Sequence, residues 1–118
     1  MAEQNCNTQE TLKKSLRTLI KCAYLIAEEK GWHDSDNNDG ECIALMHSEL
    51  SEALEALRRD NPADTNCPAF TSLEIELADV IIRIFDYAGL RRLNLAEAIL
   101  AKMKYNRSRG YKHGDKAF

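Results

Sequence analysis

Apolar residues in this 118-residue chain return every three or four positions rather than every two. Leu12, Leu16, Leu19, Ile20, Ala23 and Ile26 mark one face of a first helix, predicted over about residues 10–29. Asn7 and Glu10 have the spacing of a capping box at its start, and Gly31 is a normal stop. The polar loop GWHDSDNNDGE follows and carries the single tryptophan, Trp32. A second helix is predicted over about residues 41–59, where Leu50, Ala53, Leu54 and Leu57 share a stripe. DNPADTNCPAFTS holds both prolines and is the longest connection. Thr71 or Ser72 can cap a third helix over about 73–88, with Gly89 closing it. Asn94 and Glu97 form a capping box for a fourth, over about 95–106. The remainder, RSRGYKHGDKAF, reads as a basic, irregular tail. No stretch alternates at period two long enough to claim a strand. The pattern therefore predicts an all-α antiparallel bundle of about four helices, in a single domain over 1–118 with the tail at 107–118.

Composition narrows the class. The chain is 44% hydrophobic and 30% charged, which separates it from disordered chains, and its net charge of -3 argues against a basic nucleic-acid binder. No apolar run approaches the ~18 residues of a membrane span. The N-terminus lacks the basic start and apolar stretch of a signal peptide. Cys6, Cys22, Cys42 and Cys67 contain no C-x-x-C pair, and neither His33 nor His113 has a cysteine nearby. They read as reduced thiols of a cytoplasmic protein, without a zinc site.

The chemistry enters with the acids. Glu49 falls on the apolar stripe of the second helix, and Glu52 follows one turn on. The third helix offers Glu76 and Asp79 at the same spacing, Glu76 on a stripe with Leu73, Leu77, Val80 and Ile84. Residues three apart are neighbours on a helix face, so each pair presents two carboxylates side by side. Burying carboxylates together is costly, and a cation removes the cost. Hard oxygen ligands suit Mg²⁺ or Mn²⁺. The plain alternative is a solvated acidic face, which is how Glu55 and Glu74 read. A di-iron bundle needs a Glu-x-x-His pair, and none occurs. His47, two residues before Glu49, points to a different side of the helix.

On these residues the chain resembles the MazG-like nucleoside triphosphate pyrophosphohydrolases, the all-α family that includes the dCTP pyrophosphatases. The family's E-x-x-E followed by E-x-x-D matches Glu49, Glu52, Glu76 and Asp79. LEIELADVIIRIFDYAG is similar to its third-helix signature and KMKYNRSRGYKHGDK to its C-terminal one, so the resemblance covers roughly residues 32–116. It implies hydrolysis of a nucleoside triphosphate, dCTP or a modified nucleotide among the candidates, to monophosphate and pyrophosphate. It implies Mg²⁺ held by the four acids, lowering the pKa of an attacking water. Glu52 is the favoured proton acceptor.

The resemblance also gives the tail a purpose. Alone, Lys102, Lys104, Arg107, Arg109, Lys112 and Lys116 fit a solvated end. Beside a triphosphate site, Lys104 and Arg107 become phosphate contacts, joined by Lys116. Asn106 would bond sugar or phosphate, and His113 with Gly114 would let backbone approach the ligand. Gly110 departs from the proline common among relatives, which puts the tail's ordering in question. Trp32 fits a base platform and a core lid equally well. Tyr87 reads as core, and Asp86 has no assigned role. The third helix is apolar nearly all round, and the family forms dimers or tetramers, so a homo-oligomer is expected. The rival activities are a dUTP or phosphoribosyl-ATP pyrophosphohydrolase. The rival class is a non-catalytic metal-binding bundle.

Overall fold

The structure, a computed structural model, describes residues 4–35 and 37–111, with side chains from Thr8 onward. The described residues form four helices: α1 (Gln4–Glu29), α2 (Asp39–Arg58), α3 (Ser72–Leu90) and α4 (Leu95–Ser108). No strand occurs among them, and Ala63 and Thr71 make an isolated antiparallel bridge. The fold is all-α, as the periodicity predicts.

The helix ends show which local signals act. α1 is already helical at Gln4, so Asn7 lies inside it rather than at the start the sequence pattern predicts. The segment QNCNTQE has no proline or glycine to stop the helix from starting early. Gly31 does end α1. Its φ is +77°, its N–H bonds to the Glu28 carbonyl at 3.1 Å, and the Trp32 N–H bonds to the Ala27 carbonyl at 3.0 Å. Those two bonds satisfy carbonyls that a helix end otherwise leaves open. Asn38 caps α2, its side chain accepting from the Glu41 N–H at 2.8 Å. Thr71 caps α3 in a full capping box with Glu74, so Glu74 has a structural partner and is not mere surface decoration.

Two other signals fail for tertiary reasons. Asn94 makes no side-chain cap bond, and the Glu97 carboxylate accepts instead from Arg17 of α1. Gly89 does not close α3, which continues to Leu90. A Cβ at Gly89 would lie 2.8 Å from the Tyr24 Cβ, so the glycine serves the close approach of α1 and α3. α4 runs through Ser108, so the irregular tail begins later than 107.

The long connection between α2 and α3 is built from hydrogen bonds rather than slack. Asp60 and Asn61 adopt left-handed backbone, with φ of 61° and 49°. The Asn61 side chain accepts from the Leu73 N–H at 2.8 Å, which ties the exit of α2 to the entry of α3. Asp64 accepts from the N–H groups of Asn66 and Cys67.

Contacts divide the chain into two compact units, one over residues 19–92 and one formed by 1–18 with 93–118. In the first, α2 and α3 are antiparallel: Asp39 meets Tyr87 and Arg91, while Glu49 further along meets Arg83. Its buried positions are small, with Ala23, Ala27, Ala53, Ala56, Val80 and Ala88 among them. Small contact residues let helix backbones come close. They also leave Leu50, Leu54 and Leu57 of α2 and Ile81 and Ile82 of α3 largely exposed. In the second unit, Ala96 and Leu100 of α4 are buried and the Arg17–Glu97 pair links the start of α4 to α1.

Candidate metal centre and adjoining cavity

The antiparallel α2–α3 pair brings the two acidic motifs together. Single carboxylate oxygens of Glu49, Glu76 and Asp79 all lie within 4.8 Å of one another, and all three residues are half-buried. Oxygens bound to one Mg²⁺ at about 2.1 Å lie at most about 4.2 Å apart, so little closure is needed for these three to share an ion. Glu52 is exposed and stands outside the trio, one turn along α2, yet its charge reaches Glu76.

The electrostatics explain what the trio lacks. Burial, then the Asp79 charge and a hydrogen bond with Glu49, push the Glu76 carboxyl above its ordinary value. Burial and the Glu49 charge push Asp79 up as well, with Arg83 pulling the other way. Arg83 sits one turn after Asp79 on α3. Its Nε donates to Glu49 Oε1 at 2.8 Å, and its guanidinium lies 5.9 Å from the centre of the Trp32 ring. One cation thus faces several carboxylates, and a divalent ion would complete the neutralisation.

Arg83 also lines a cavity of about 640 Å³ within the same unit. Its wall is mainly apolar, with Leu19, Ile26, Leu45, Ile81, Ile82 and Phe85 contributing. Trp32, His33, Asp86 and Tyr87 supply polar or aromatic edges. Such a chamber has the size and character of a small-molecule site. It reaches the carboxylates through Arg83.

The positions inferred from sequence fall into three groups. Glu49, Glu76 and Asp79 come together, with Glu52 beside them. Trp32 lines the cavity and is 56% exposed, so it is not a buried core lid. Lys104, Asn106 and Arg107 are exposed on α4, in the unit formed by the chain ends. His113 and Lys116 lie outside the described residues.

Several residues escape a reading by motif. His33 is held between two carboxylates: Nδ1 against Glu28 and Nε2 against Asp86 Oδ1, the latter at 2.7 Å. Its ring stacks on Tyr24 with centroids 4.9 Å apart. Tyr87, expected in the core, instead lines the cavity and donates its hydroxyl to Asp39 at 2.9 Å. Arg91 donates to the same Asp39 oxygen at 2.7 Å. The contacts of His33 with Asp86 and of Tyr87 and Arg91 with Asp39 join residues 48 to 53 apart in sequence, beyond any helical spacing rule. Arg83 did carry a local signal, because position i+4 from Asp79 shares its helix face.

Among the described residues Cys22, Cys42 and Cys67 form no disulfide. No described helix is long and apolar enough to cross a membrane.

A dATP/dGTP diphosphohydrolase of Cyanophage S-2L is 32% identical to this chain over 96 residues, which is 79% of this chain and 80% of that protein. No protein-family model matches the chain. No solved structure matches it.

Proposed function

This chain belongs to the family of that dATP/dGTP diphosphohydrolase, and on that footing we propose that it is a Mg²⁺-dependent pyrophosphohydrolase of deoxynucleoside triphosphates. It cleaves between the α- and β-phosphates, leaving a nucleoside monophosphate and pyrophosphate. The observation that carries this reading is the convergence of Glu49, Glu76 and Asp79 next to an apolar cavity. The order of the motifs along the chain supports placing it in the MazG-like group.

In this reading Glu49, Glu76 and Asp79 hold Mg²⁺, with Glu52 as fourth ligand or proton acceptor. A bound Mg²⁺ would neutralise the triphosphate and acidify an attacking water. Glu52 suits the proton-accepting role because it is exposed and lies beside the tight trio rather than within it. Trp32 stacks on the base, its ring presented to the cavity. The MazG-like resemblance would add Lys104, Asn106 and Arg107, with His113 and Lys116, as contacts to phosphate or sugar. The relative's name, dATP/dGTP diphosphohydrolase, puts purine deoxynucleotides first, ahead of dCTP. The protein works as a homo-oligomer: Leu50, Leu54, Leu57, Ile81 and Ile82 leave more apolar surface open than a lone soluble chain usually carries.

The deciding experiment is product analysis with a panel of canonical and modified triphosphates, phosphoribosyl-ATP included, with and without Mg²⁺. Pyrophosphate from at least one deoxynucleotide, lost on chelation, is the expected result. Inorganic phosphate instead of pyrophosphate, or no product from any nucleotide, would refute the reading. Preference for dUTP or phosphoribosyl-ATP would reassign the substrate.

A further inference from the structure

We infer that Arg83 is a resident counter-cation that competes with the divalent ion for Glu49, so that metal loading releases its guanidinium at the wall of the cavity. The inference rests on the proposed metal site and concerns how that site is held before an ion arrives.

The geometry gives Arg83 two partners. Its Nε donates to Glu49 Oε1 at 2.8 Å, and that oxygen belongs to a residue of the carboxylate trio. Its guanidinium also lies 5.9 Å from the centre of the Trp32 ring, within the range of a cation–π contact. The Arg83 side chain retains 29% exposure and the Glu49 side chain 17%, so the pair is partly shielded from water but free to rearrange. A hydrogen bond between ionised groups is strong in such a setting. It engages Glu49 before an ion can, and its positive charge opposes a second cation beside it.

Removal of that bond by an ion has a consequence in the cavity. Arg83 is a lining residue, so its guanidinium stays at the chamber wall when Glu49 is taken. A free guanidinium there favours an anionic ligand, which couples metal and nucleotide binding in the positive direction. By linkage the effect is reciprocal. Arg83 acts through Glu49 and Trp32 and is therefore a positioning residue.

Trp32 is the single tryptophan of the chain and reports this rearrangement directly. Titration of the nucleotide-free protein with Mg²⁺, followed by tryptophan fluorescence, is expected to give a saturable change that Arg83→Gln abolishes. Mn²⁺ affinity measured by calorimetry should be about tenfold tighter in Arg83→Gln, and less so in Arg83→Lys, which keeps the charge on a shorter, unforked head. In a Glu49→Gln background, Arg83→Gln should no longer alter Mn²⁺ affinity. Circular dichroism checks that each variant is folded, and the lysine variant keeps the test open if the glutamine variant is not. Unchanged or weaker Mn²⁺ binding by a folded Arg83→Gln would overturn the inference while leaving the metal site intact. Failure of the wild-type protein to bind Mn²⁺ at all would remove the site itself, and the inference with it.

Discussion

His33 Nε2 lies 2.7 Å from Asp86 Oδ1, and the other ring nitrogen faces Glu28. The clamp fastens the loop after α1 to the end of α1 and to α3. Only the imidazolium can donate from both nitrogens to two ionised carboxylates. Burial alone would lower the His33 pKa, but the hydrogen bonds to Glu28 and Asp86 and their charges outweigh it, and the value rises above the ordinary 6.5. The folded pKa is thus above the unfolded one. The stabilisation is complete below the ordinary value and is lost as pH climbs through the raised one. His33→Ala should therefore lower Tm most at mildly acidic pH, with the difference shrinking at alkaline pH. A Tm difference that grows with pH would contradict the clamp.

Glu76 sets function against stability. Its carboxyl is driven up by burial, by Asp79 and by Glu49, so its ionised form strains the metal-free fold. Glu76→Gln should raise Tm in the presence of a chelator and reduce the stabilisation that Mg²⁺ provides to the wild type. Such trade-offs are common at active sites. Thermal denaturation with and without Mg²⁺ measures both effects.

Turnover should depend on the acids around it. Glu52→Gln and Asp79→Asn are each expected to cut kcat by roughly 100-fold or more, the usual scale for loss of a proton-transfer or charge-stabilising group. Far-ultraviolet circular dichroism should stay close to wild type, since neither side chain caps a helix. Rates unchanged in both variants would place the chemistry elsewhere.

Trp32→Ala tests the cavity as the base site. Loss of one stacking surface is worth about 1–3 kcal/mol, so KM should rise about tenfold with a smaller change in kcat. An effect on kcat alone would assign Trp32 to the chemical step.

Gly89 tests the packing. Any added Cβ meets the Tyr24 Cβ at 2.8 Å, nearer than such atoms normally come. Gly89→Ala gains helix propensity of nearly 1 kcal/mol and should still destabilise by about 1–3 kcal/mol from overpacking. Chemical denaturation gives the sign directly.

Much of this protein was legible from spacing. The three-to-four periodicity fixed an all-α chain, and the paired acids pointed to Glu49, Glu52, Glu76 and Asp79, of which all but Glu52 converge. Gly31 and Thr71 acted as their local chemistry suggested, because a left-handed turn and a capped N–H are settled within a few residues. Asn94 and Glu97 had an equally good local pattern and did otherwise, since Arg17, 80 residues away, offered Glu97 a charged partner. Two glycines near helix ends looked alike. One ends a helix, while the other makes room for Tyr24, and only the neighbour distinguishes them.

The sequence by itself thus determined the helices and the pairing of carboxylates on two of them. The tertiary structure decided which acids share a point in space and which stands beside them. It also supplied the contacts that no periodicity reveals: Arg83 reaching Glu49 on the neighbouring helix, His33 on Asp86, and Tyr87 with Arg91 on Asp39. The physical reason is range. Periodicity reports what lies one turn away on the same helix, whereas charge neutralisation is settled by whichever residues the antiparallel packing of α2 against α3 brings within hydrogen-bonding distance.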